Sequence, residues 1–591
     1  MEPIKVDFTG NGGSGKGSGK NAYLVPKKAG LKMLITIIGT IIGGAIAYYF
    51  MLPPLNFKST DTYMFIGTVI AIFIALIFVT SSAYIKPEYT PYVRKKSFIP
   101  IVLAVVLVVV VGIGFVASSV FFRAKTYSNI IDVDESKSFA SDIAEADFSN
   151  VPVLDDDSAK ALANRTLGDL AAIGKVSQFE ISTAFTQINY KNNPVKLTTL
   201  AYGDVFKWLK NTKSGLPGYV VVNMVSQKAE LVTLPEGEYI KYATTEHFGK
   251  YLMRHVRFSY PTYIFDTPRF EIDESGRPFW LCTVLDKTIG LFGGTDVKGV
   301  VIVDAITGEM TEYTVDEVKT SKELQWIDGI YSDALLVEQF NYYGRYKNGF
   351  INSVLGQEGV KIATEGRNFI AKDDDVYAYT GVTSAGNDQA IIGFVLMNMR
   401  TKEANFYEVS GAKETSAQSS AQGEVQDYKY RATFPILLNI SGEPTYFMSL
   451  KDSDNLVKRY AMVNVENYQV VSTGTTIADC TKDYVDSLKQ NNIKIDVDID
   501  EIENATNNTE EADKPEVARE KKKGAIDDIR TAVIGGDSVY YISLEGDSTY
   551  FSIKASDEQS VVILNAGDTV TVSYEKVKAA DGIITAESIK K

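Results

Sequence analysis

Two cysteines in 591 residues, Cys282 and Cys480, are too few for a disulfide scaffold. They are expected as two buried free thiols. Histidine is equally scarce, with His247 and His255 alone. On one helix they would stand two turns, ~12 Å, apart, too far to share a metal. The chain has no Gly-x-Ser-x-Gly elbow, and Cys282 falls inside a strand pattern rather than at a helix start. The sequence therefore nominates no catalytic, cofactor-binding or metal-ligating residues, and a non-enzymatic protein without a cofactor is expected. Charge is missing from three long runs: Met33 to Leu52, Thr62 to Ile85 and Ser97 to Phe122. Each exceeds the ~30 Å of hydrocarbon that a helix must cross. The absence of intramembrane charge speaks against a solute path through these spans alone.

Lys and Arg set the expected orientation. The tail carries Lys16, Lys20, Lys27, Lys28 and Lys32, and the loop between the second and third runs carries Lys86, Arg94, Lys95 and Lys96. The first loop has only Lys58, while Arg123 and Lys125 stand past the third run. The balance predicts a multi-pass protein of the cell membrane, N-terminus cytoplasmic and C-terminal domains extracellular. Residues 1–125 hold 13 Lys and Arg against 4 Asp and Glu, and the remainder holds 47 against 70. So acidic a body suits neither nucleic acid nor anionic lipid binding. Sparse cysteine with abundant Lys, Asp, Asn and Tyr fits a bacterial chain.

Gly10, Gly15 and Lys16 match the spacing of a phosphate-binding loop, but Gly17 replaces its hydroxyl residue and no strand precedes it. Residues 1–30 are read as a flexible basic tail and 31–122 as the membrane helices. Residues 126–217 are read as a stalk and small α/β region. There Asp155, Asp156 and Asp157 are placed to cap a helix near Ser158–Ala172, and a short helix is expected at Gly203–Leu209. Asp373, Asp374 and Asp375 read as a polar turn rather than a calcium site.

Residues 218–480 contain a repeat. Gly299-Val-Val-Ile-Val-Asp304-Ala-Ile-Thr307-Gly308-Glu309 aligns without gaps to Gly393-Phe-Val-Leu-Met-Asn398-Met-Arg-Thr401-Lys402-Glu403. A partial third copy has Val463-Asn464, and Ser275-Gly276 matches Ser441-Gly442. Each unit reads as a helix (His247–Arg257, Thr415–Gln426) over two hairpins. Gly308 is expected at positive φ. Lys402 stands in its place in the middle copy, so that turn must differ or carry strain. The strand pair ending Val-Asp-Ala-x-Thr-Gly-Glu resembles the PepSY family, small extracytoplasmic domains with a helix packed on an antiparallel sheet. The resemblance implies a non-catalytic envelope module of the kind found in protease propeptides, inhibitors and membrane-anchored sensors.

Residues 481–524 are read as a charged linker. Residues 525–591 break into short strands, Val539–Leu544, Thr549–Ile553, Val561–Leu564 and Val570–Tyr574, between glycines. They resemble an OB-fold, a small closed β-barrel, here without the basic face that nucleic acid needs. Tyr342, Tyr343 and Tyr346 cluster at helical spacing and are the candidate binding residues.

The expected fold class is membrane-anchored α+β: three transmembrane helices, repeated helix-plus-antiparallel-sheet units, and a small C-terminal β-barrel. The expected role is an interaction or scaffold protein of the bacterial cell envelope. Its expected partners are the lipid bilayer and other envelope or membrane proteins. Two alternatives remain open, an accessory subunit of a transport or secretion complex and a hydrolase of envelope polymers.

Overall fold

In the computed structural model, the described residues are 23–148, 150–171, 177–372, 375–385, 390–493, 519–534, 537–547, 549–555, 558–575 and 583–591. The glycine-rich tail, Asp373, Asp374, most of the acidic linker, Gly535, Gly536 and Gly582 lie outside them. The chain divides into two compact units, Met1–Thr506 and Asn507–Lys591.

The three charge-free runs form α1 (Ala29–Met51), α2 (Thr60–Thr80) and α3 (Thr90–Ala117). All three are long and apolar enough to cross a membrane. Gly39 and Gly43 let α1 approach α2: a Cβ on either would stand 3.0 Å from Leu76 or Ile72. The third run is shorter than its sequence suggests. Ser118 folds its Oγ back onto the Gly114 carbonyl at 2.7 Å. Ser119 then caps a separate helix, α4 (Val120–Ser128), so Val120, Phe121 and Phe122 leave the span.

A short strand β1 (Val133–Asp134) and a single-turn helix α5 (Phe139–Asp142) lead to four copies of one unit, not three. The first has α6 (Asp156–Arg165), then β2 (Phe179–Ile181), β3 (Thr186–Tyr190) and β4 (Asn193–Tyr202). A helix α7 (Val205–Asn211) intervenes before β5 (Gly218–Asn223) and β6 (Ala229–Thr233). The second has α8 (Leu252–Ser259), β7 (Ile264–Phe265), β8 (Arg269–Ile272), β9 (Pro278–Ile289), β10 (Gly293–Asp304) and β11 (Met310–Thr314), followed by α9 (Val315–Thr320). The third has α10 (Asp333–Tyr346), β12 (Ile362–Ala363), β13 (Asn368–Lys372), β14 (Asp375–Thr383), β15 (Ala390–Asn398) and β16 (Ala404–Ala412). The fourth has α11 (Glu414–Glu424), β17 (Arg431–Ala432), β18 (Ile436–Ile440), β19 (Glu443–Lys451), β20 (Val457–Asn464), β21 (Val471–Gly474) and a closing helix α12 (Ile477–Gln490).

The pairing is the same in every copy. The fifth strand pairs the fourth, the fourth pairs the third, and both short strands pair the third. The expected boundary at residue 218 therefore falls inside one sheet, and the α/β region before it is the front half of the first unit. Strand alternation gives each sheet two apolar faces. Val301 and Val303 join one core while Val300 and Ile302 join another, and Val395 and Met397 separate likewise from Phe394 and Leu396. Each helix shares a core with its own sheet and with the preceding one: Leu336 and Phe340 of α10 lie with Val395, Met397, Val300 and Ile302. The series closes on itself. Ala159 of α6 shares a core with Phe447 and Met462 of the fourth sheet, and Phe148 packs edge-on to Phe447 at 6.1 Å. Asp155 caps α6 through the Ser158 amide and is also paired with Lys451.

The turn between the fourth and fifth strands explains the motif. Asp304 accepts from the amides of Ile306 and Thr307, and Asn398 accepts from those of Arg400 and Thr401, all at 2.8 Å. Gly308 has φ 78° and Lys402 φ 69°, so the middle copy keeps the turn and carries the strain. Lys402 Nζ stands 2.8 Å from both carboxylate oxygens of Asp296 in the neighbouring sheet. We expect Lys402→Gly to destabilise by about 1–2 kcal/mol, because the lost, largely buried pair outweighs ~1 kcal/mol of relieved strain. A double-mutant cycle with Asp296→Asn checks this. Equal losses in the presence and absence of Asp296 would contradict it.

In the second unit, β22 (Arg519–Ile534), β23 (Asp537–Leu544), β24 (Tyr550–Lys554), β25 (Thr569–Glu575) and β26 (Ile583–Lys590) close a barrel in the order β22-β23-β24-β26-β25. The barrel starts at residue 519, so the basic cluster Arg519 to Lys523 opens its first strand instead of ending the linker. Val561–Leu564, expected as a strand, lies largely in a 3-10 turn over Gln559–Ile563. Val561 turns into the core while Val562 and Ile563 stay exposed, which two-residue alternation does not allow. Its core, with Ile526, Ile542, Phe551, Val572 and Ile589, is self-contained. A fragment from residue 507 is expected to melt cooperatively with a β-type circular dichroism spectrum. Non-cooperative loss of signal would count against an independent fold.

Candidate binding site

Tyr342, Tyr343 and Tyr346 all lie on α10, and their helical spacing splits them into two settings. Tyr343 is buried. Its hydroxyl donates to Glu135 at 2.8 Å and accepts from Lys347 at 2.7 Å, and Lys361 reaches the same carboxylate at 2.8 Å. Burial alone would raise the Glu135 carboxyl. The hydrogen bonds from Lys361 and Tyr343, with the charges of Lys361 and Lys347, outweigh it and hold the group below its ordinary range. Tyr343 is thus a structural post. Tyr342 and Tyr346 are half-buried, stacked on one another at 6.2 Å, and the file of rings continues to Phe350 at 6.3 Å. Tyr342 and Tyr346 are one helical turn apart on α10, which aligns them, and the turn past the helix end brings Phe350 into the same file. The file meets α4 at both ends: Tyr127 lies 4.6 Å from Tyr342 and Phe121 lies 5.1 Å from Phe350. Tyr342 donates to Glu338 at 2.7 Å, and burial with that carboxylate raises its phenol. An open hollow of about 360 Å³ lies along Val337, Glu338, Asn341, Tyr342, Arg345 and Tyr346. These side chains offer ring faces and acceptors but no activated nucleophile, so the surface can hold a partner by stacking.

The ring file sits beside the joint between the helices and the repeat units, which sequence reasoning missed. The β9–β10 hairpin tip, Gly290-Leu291-Phe292-Gly293, presses on the end of α3. Ser118 Oγ accepts from the Leu291 and Phe292 amides at 2.9 and 3.0 Å. Phe292 packs on Phe115 at 4.9 Å and Tyr63 at 5.7 Å. Gly293 is needed there, since a Cβ would fall 1.9 Å from the Tyr127 hydroxyl. On α8, Arg254 Nε donates to the Tyr49 carbonyl at 3.2 Å and Arg257 Nε to the Leu52 carbonyl at 3.1 Å, closing the end of α1. Lys58 pairs with Asp286 at 2.8 Å. The sequence signal that could have found the joint is the apolar dipeptide Leu291-Phe292 set between Gly290 and Gly293.

Other sequence candidates resolve as structure. Cys282 and Cys480 are free and buried, and burial pushes both thiols up to about 12. His255 hydrogen-bonds the Gly308 carbonyl at 2.8 Å and packs on Tyr242, tying α8 to the turn. His247 precedes a 3-10 turn ahead of α8 and lies edge-on to Trp208. Asp375 is buried between Asn398 and Arg400, at 2.7 and 2.6 Å. Among the described residues, no group of three His, Cys, Asp or Glu is placed to hold a metal.

Glu271 on β8 is fully buried where the units meet. Its Oε2 accepts from the Asp328 amide at 3.3 Å, and its Oε1 lies 3.3 Å from Arg269 Nη2 without a hydrogen bond. Burial pushes the carboxyl up to about 7, against the opposing pull of Arg269 and the Asp328 amide. Between the ordinary value of 4.5 and about 7, the unfolded chain loses this proton while the folded chain keeps it. Stability is therefore highest below that window, falls as pH rises through it and levels off above it. Glu271→Gln should remove this dependence, worth about 3 kcal/mol between the two limits. Denaturant midpoints of both proteins across the window provide the measurement, and parallel profiles would disprove the assignment.

No protein-family model matches the chain, and comparison with curated proteins finds no match.

Proposed function

We propose that the chain is a non-catalytic scaffold of the bacterial cell envelope. Three helices hold it in the membrane with the N-terminus in the cytoplasm, and the repeat units and barrel lie outside. The observation that carries this reading is the repetition itself. Four copies of one helix-on-sheet unit spend both sheet faces and their helices on one another, and the assembly is fixed to the ends of three apolar helices. Such an architecture builds a rigid platform. The helix over an antiparallel sheet in each copy supports the PepSY-like reading. The barrel's strand order, with a single parallel pair between β24 and β26, supports the OB-like one. Lys27, Lys28, Lys32, Lys86, Arg94, Lys95 and Lys96 all stand at the helix ends away from the repeat units, which supports the orientation. The ring file of Tyr342 and Tyr346 is the surface we assign to a protein partner.

Two experiments test this. Protease added to wall-stripped cells should digest the repeat units and barrel, and their protection would reverse the topology. Cross-linking through a photoreactive residue at Arg345 should trap envelope or membrane proteins. Recovery of a transporter or secretion complex would make the chain its accessory subunit, and recovery of no protein would remove the scaffold reading.

A further inference from the structure

Among the described residues between Ser119 and Ile493, the large hydrophobic side chains left exposed gather beside the ends of α1 and α3, with Tyr428 and Tyr468 the exceptions. They form two groups. Val205, Phe206 and Leu209 project from α7, and Phe248 and Phe258 are exposed between that helix and the end of α1 in the chain of contacts that follows. Trp208 pins this helix from the other side: its Nε1 donates to the buried Glu246 at 2.9 Å, and its ring packs on Phe248 at 5.7 Å. Phe248 in turn gives its carbonyl to Arg254, which also holds the Tyr49 carbonyl, and Phe258 stacks flat on Tyr48 at 6.0 Å. The second group is Ile351, Val354 and Leu355 just past α10, with Phe121 and Phe122 of α4. Phe121 packs on Phe350, and α4 begins three residues after α3 ends.

We infer that these two groups are lipid-immersed feet, and that the repeat body sits on the bilayer with both inserted at the headgroup–acyl boundary. Three features select lipid as the occupant. First, both groups are continuous with the ends of helices long and apolar enough to cross a membrane. Second, exposed cations flank each group: Lys210 and Lys213 on and after α7, and Arg123 on α4 beside the other. An apolar face rimmed by Lys and Arg is how a short helix lies in an interface, with the charged heads reaching back to phosphate. Third, the repeat places α7 there. In the first unit α7 occupies the link between third and fourth strands, and in the second unit that same link is the Leu291-Phe292 tip seated on α3. Leaving Phe206 81% and Leu355 79% exposed to water would carry a hydrophobic cost with no compensating contact, which immersion removes.

The inference rests on the membrane-anchored reading, and the test separates the two. The full chain carries two native thiols that are buried and pushed up to about 12, so a single introduced cysteine is the reactive one. Spin labels at Phe206→Cys, Leu355→Cys, Ile41→Cys and Tyr468→Cys are examined in nanodiscs of zwitterionic phosphatidylcholine. Relaxation by oxygen, which partitions into lipid, is compared with relaxation by a water-soluble nickel chelate. The labels at 206 and 355 should show a severalfold higher oxygen-to-nickel ratio than the label at 468. Their ratio should fall below that of the label at 41, which lies mid-helix. Nickel-dominated relaxation at either 206 or 355, with 41 still oxygen-dominated, overturns the feet and leaves the anchoring intact. Nickel-dominated relaxation at 41 as well overturns both.

Discussion

Gly218→Ala, Gly299→Ala and Gly393→Ala should each destabilise the repeat body by about 3–4 kcal/mol, among the largest effects of any single methyl in it. The three residues hold the same place in three copies, at the start of the fourth strand's core segment: Gly218-Tyr-Val-Val-Val-Asn223, Gly299-Val-Val-Ile-Val-Asp304 and Gly393-Phe-Val-Leu-Met-Asn398. None of them has positive φ, so backbone freedom is not the reason. The reason is space. A Cβ would stand 2.0 Å from the Val232 carbonyl oxygen, 2.4 Å from that of Tyr313 and 2.3 Å from that of Tyr407. Each obstacle is backbone in the fifth strand and cannot turn aside as a side chain would. The fourth copy supports the argument. Arg459 stands in the glycine's place, and pairing with the fifth strand begins one residue later, at Tyr460 opposite Gly474. Gly423 serves as the control. It is a helical glycine in α11 with open space around its Cβ, and Gly423→Ala should stabilise by about 0.5–1 kcal/mol. Urea midpoints in detergent for the four variants decide the matter, and a Gly299→Ala protein as stable as wild type would show that the strands are not so tightly crossed.

That glycine also shows how much of the repeat was legible. The second and third copies stand out in the sequence because Gly, Asp or Asn, Thr and Glu recur at fixed spacing. The first copy begins with the same Gly-to-Asn segment, but its turn reads Met224-Val225-Ser226-Gln227-Lys228. Gln227 takes φ 58° where Gly308 takes 78°, and the Asn223 side chain still accepts the turn amides at 2.8–2.9 Å. The first three copies share the physical device while the residue that signals it differs, and the fourth closes a longer turn from Asn464 to Val470 without a positive φ. The insertion of α7 between β4 and β5 further hides the period. The apolar runs were legible because each helix long and apolar enough to cross a membrane is built on a charge-free run, although the break at Ser118 depends on a hairpin more than 170 positions away. Of the candidate site, the spacing of Tyr342 and Tyr346 was legible, while Tyr127 and Phe121 join them only through tertiary folding.

Arg254 and Arg257 carry the other large expectation, for the same long-range reason. A helix ends with carbonyls that have no partner along the chain, and where packed side chains cover them little water replaces one. Here Leu52 turns back to the Tyr48 carbonyl, while the carbonyls of Tyr49 and Leu52 are taken by the two guanidinium groups. Arg257 also bridges the Tyr260 and Tyr263 carbonyls, and Arg254 lies over the Tyr49 ring at 4.0 Å. Burial draws the Arg257 group down from its ordinary range, with weaker opposing pulls from Tyr48 and Asp61. It remains a cation, and the negative end of the α1 dipole favours it there. Arg257→Met would strip three carbonyls of their donor at once, for a loss of about 3–5 kcal/mol, with Arg254→Met somewhat less. Arg257→Lys should recover little, since one ammonium cannot span the planar fan of acceptors that the guanidinium fills. The expected sign of failure is local: faster amide exchange at Tyr48–Leu52 and at Tyr260–Tyr263, with the barrel unaffected. A lysine variant with wild-type exchange at both segments would show that charge alone, and not the shape of arginine, joins α1 to the repeat body.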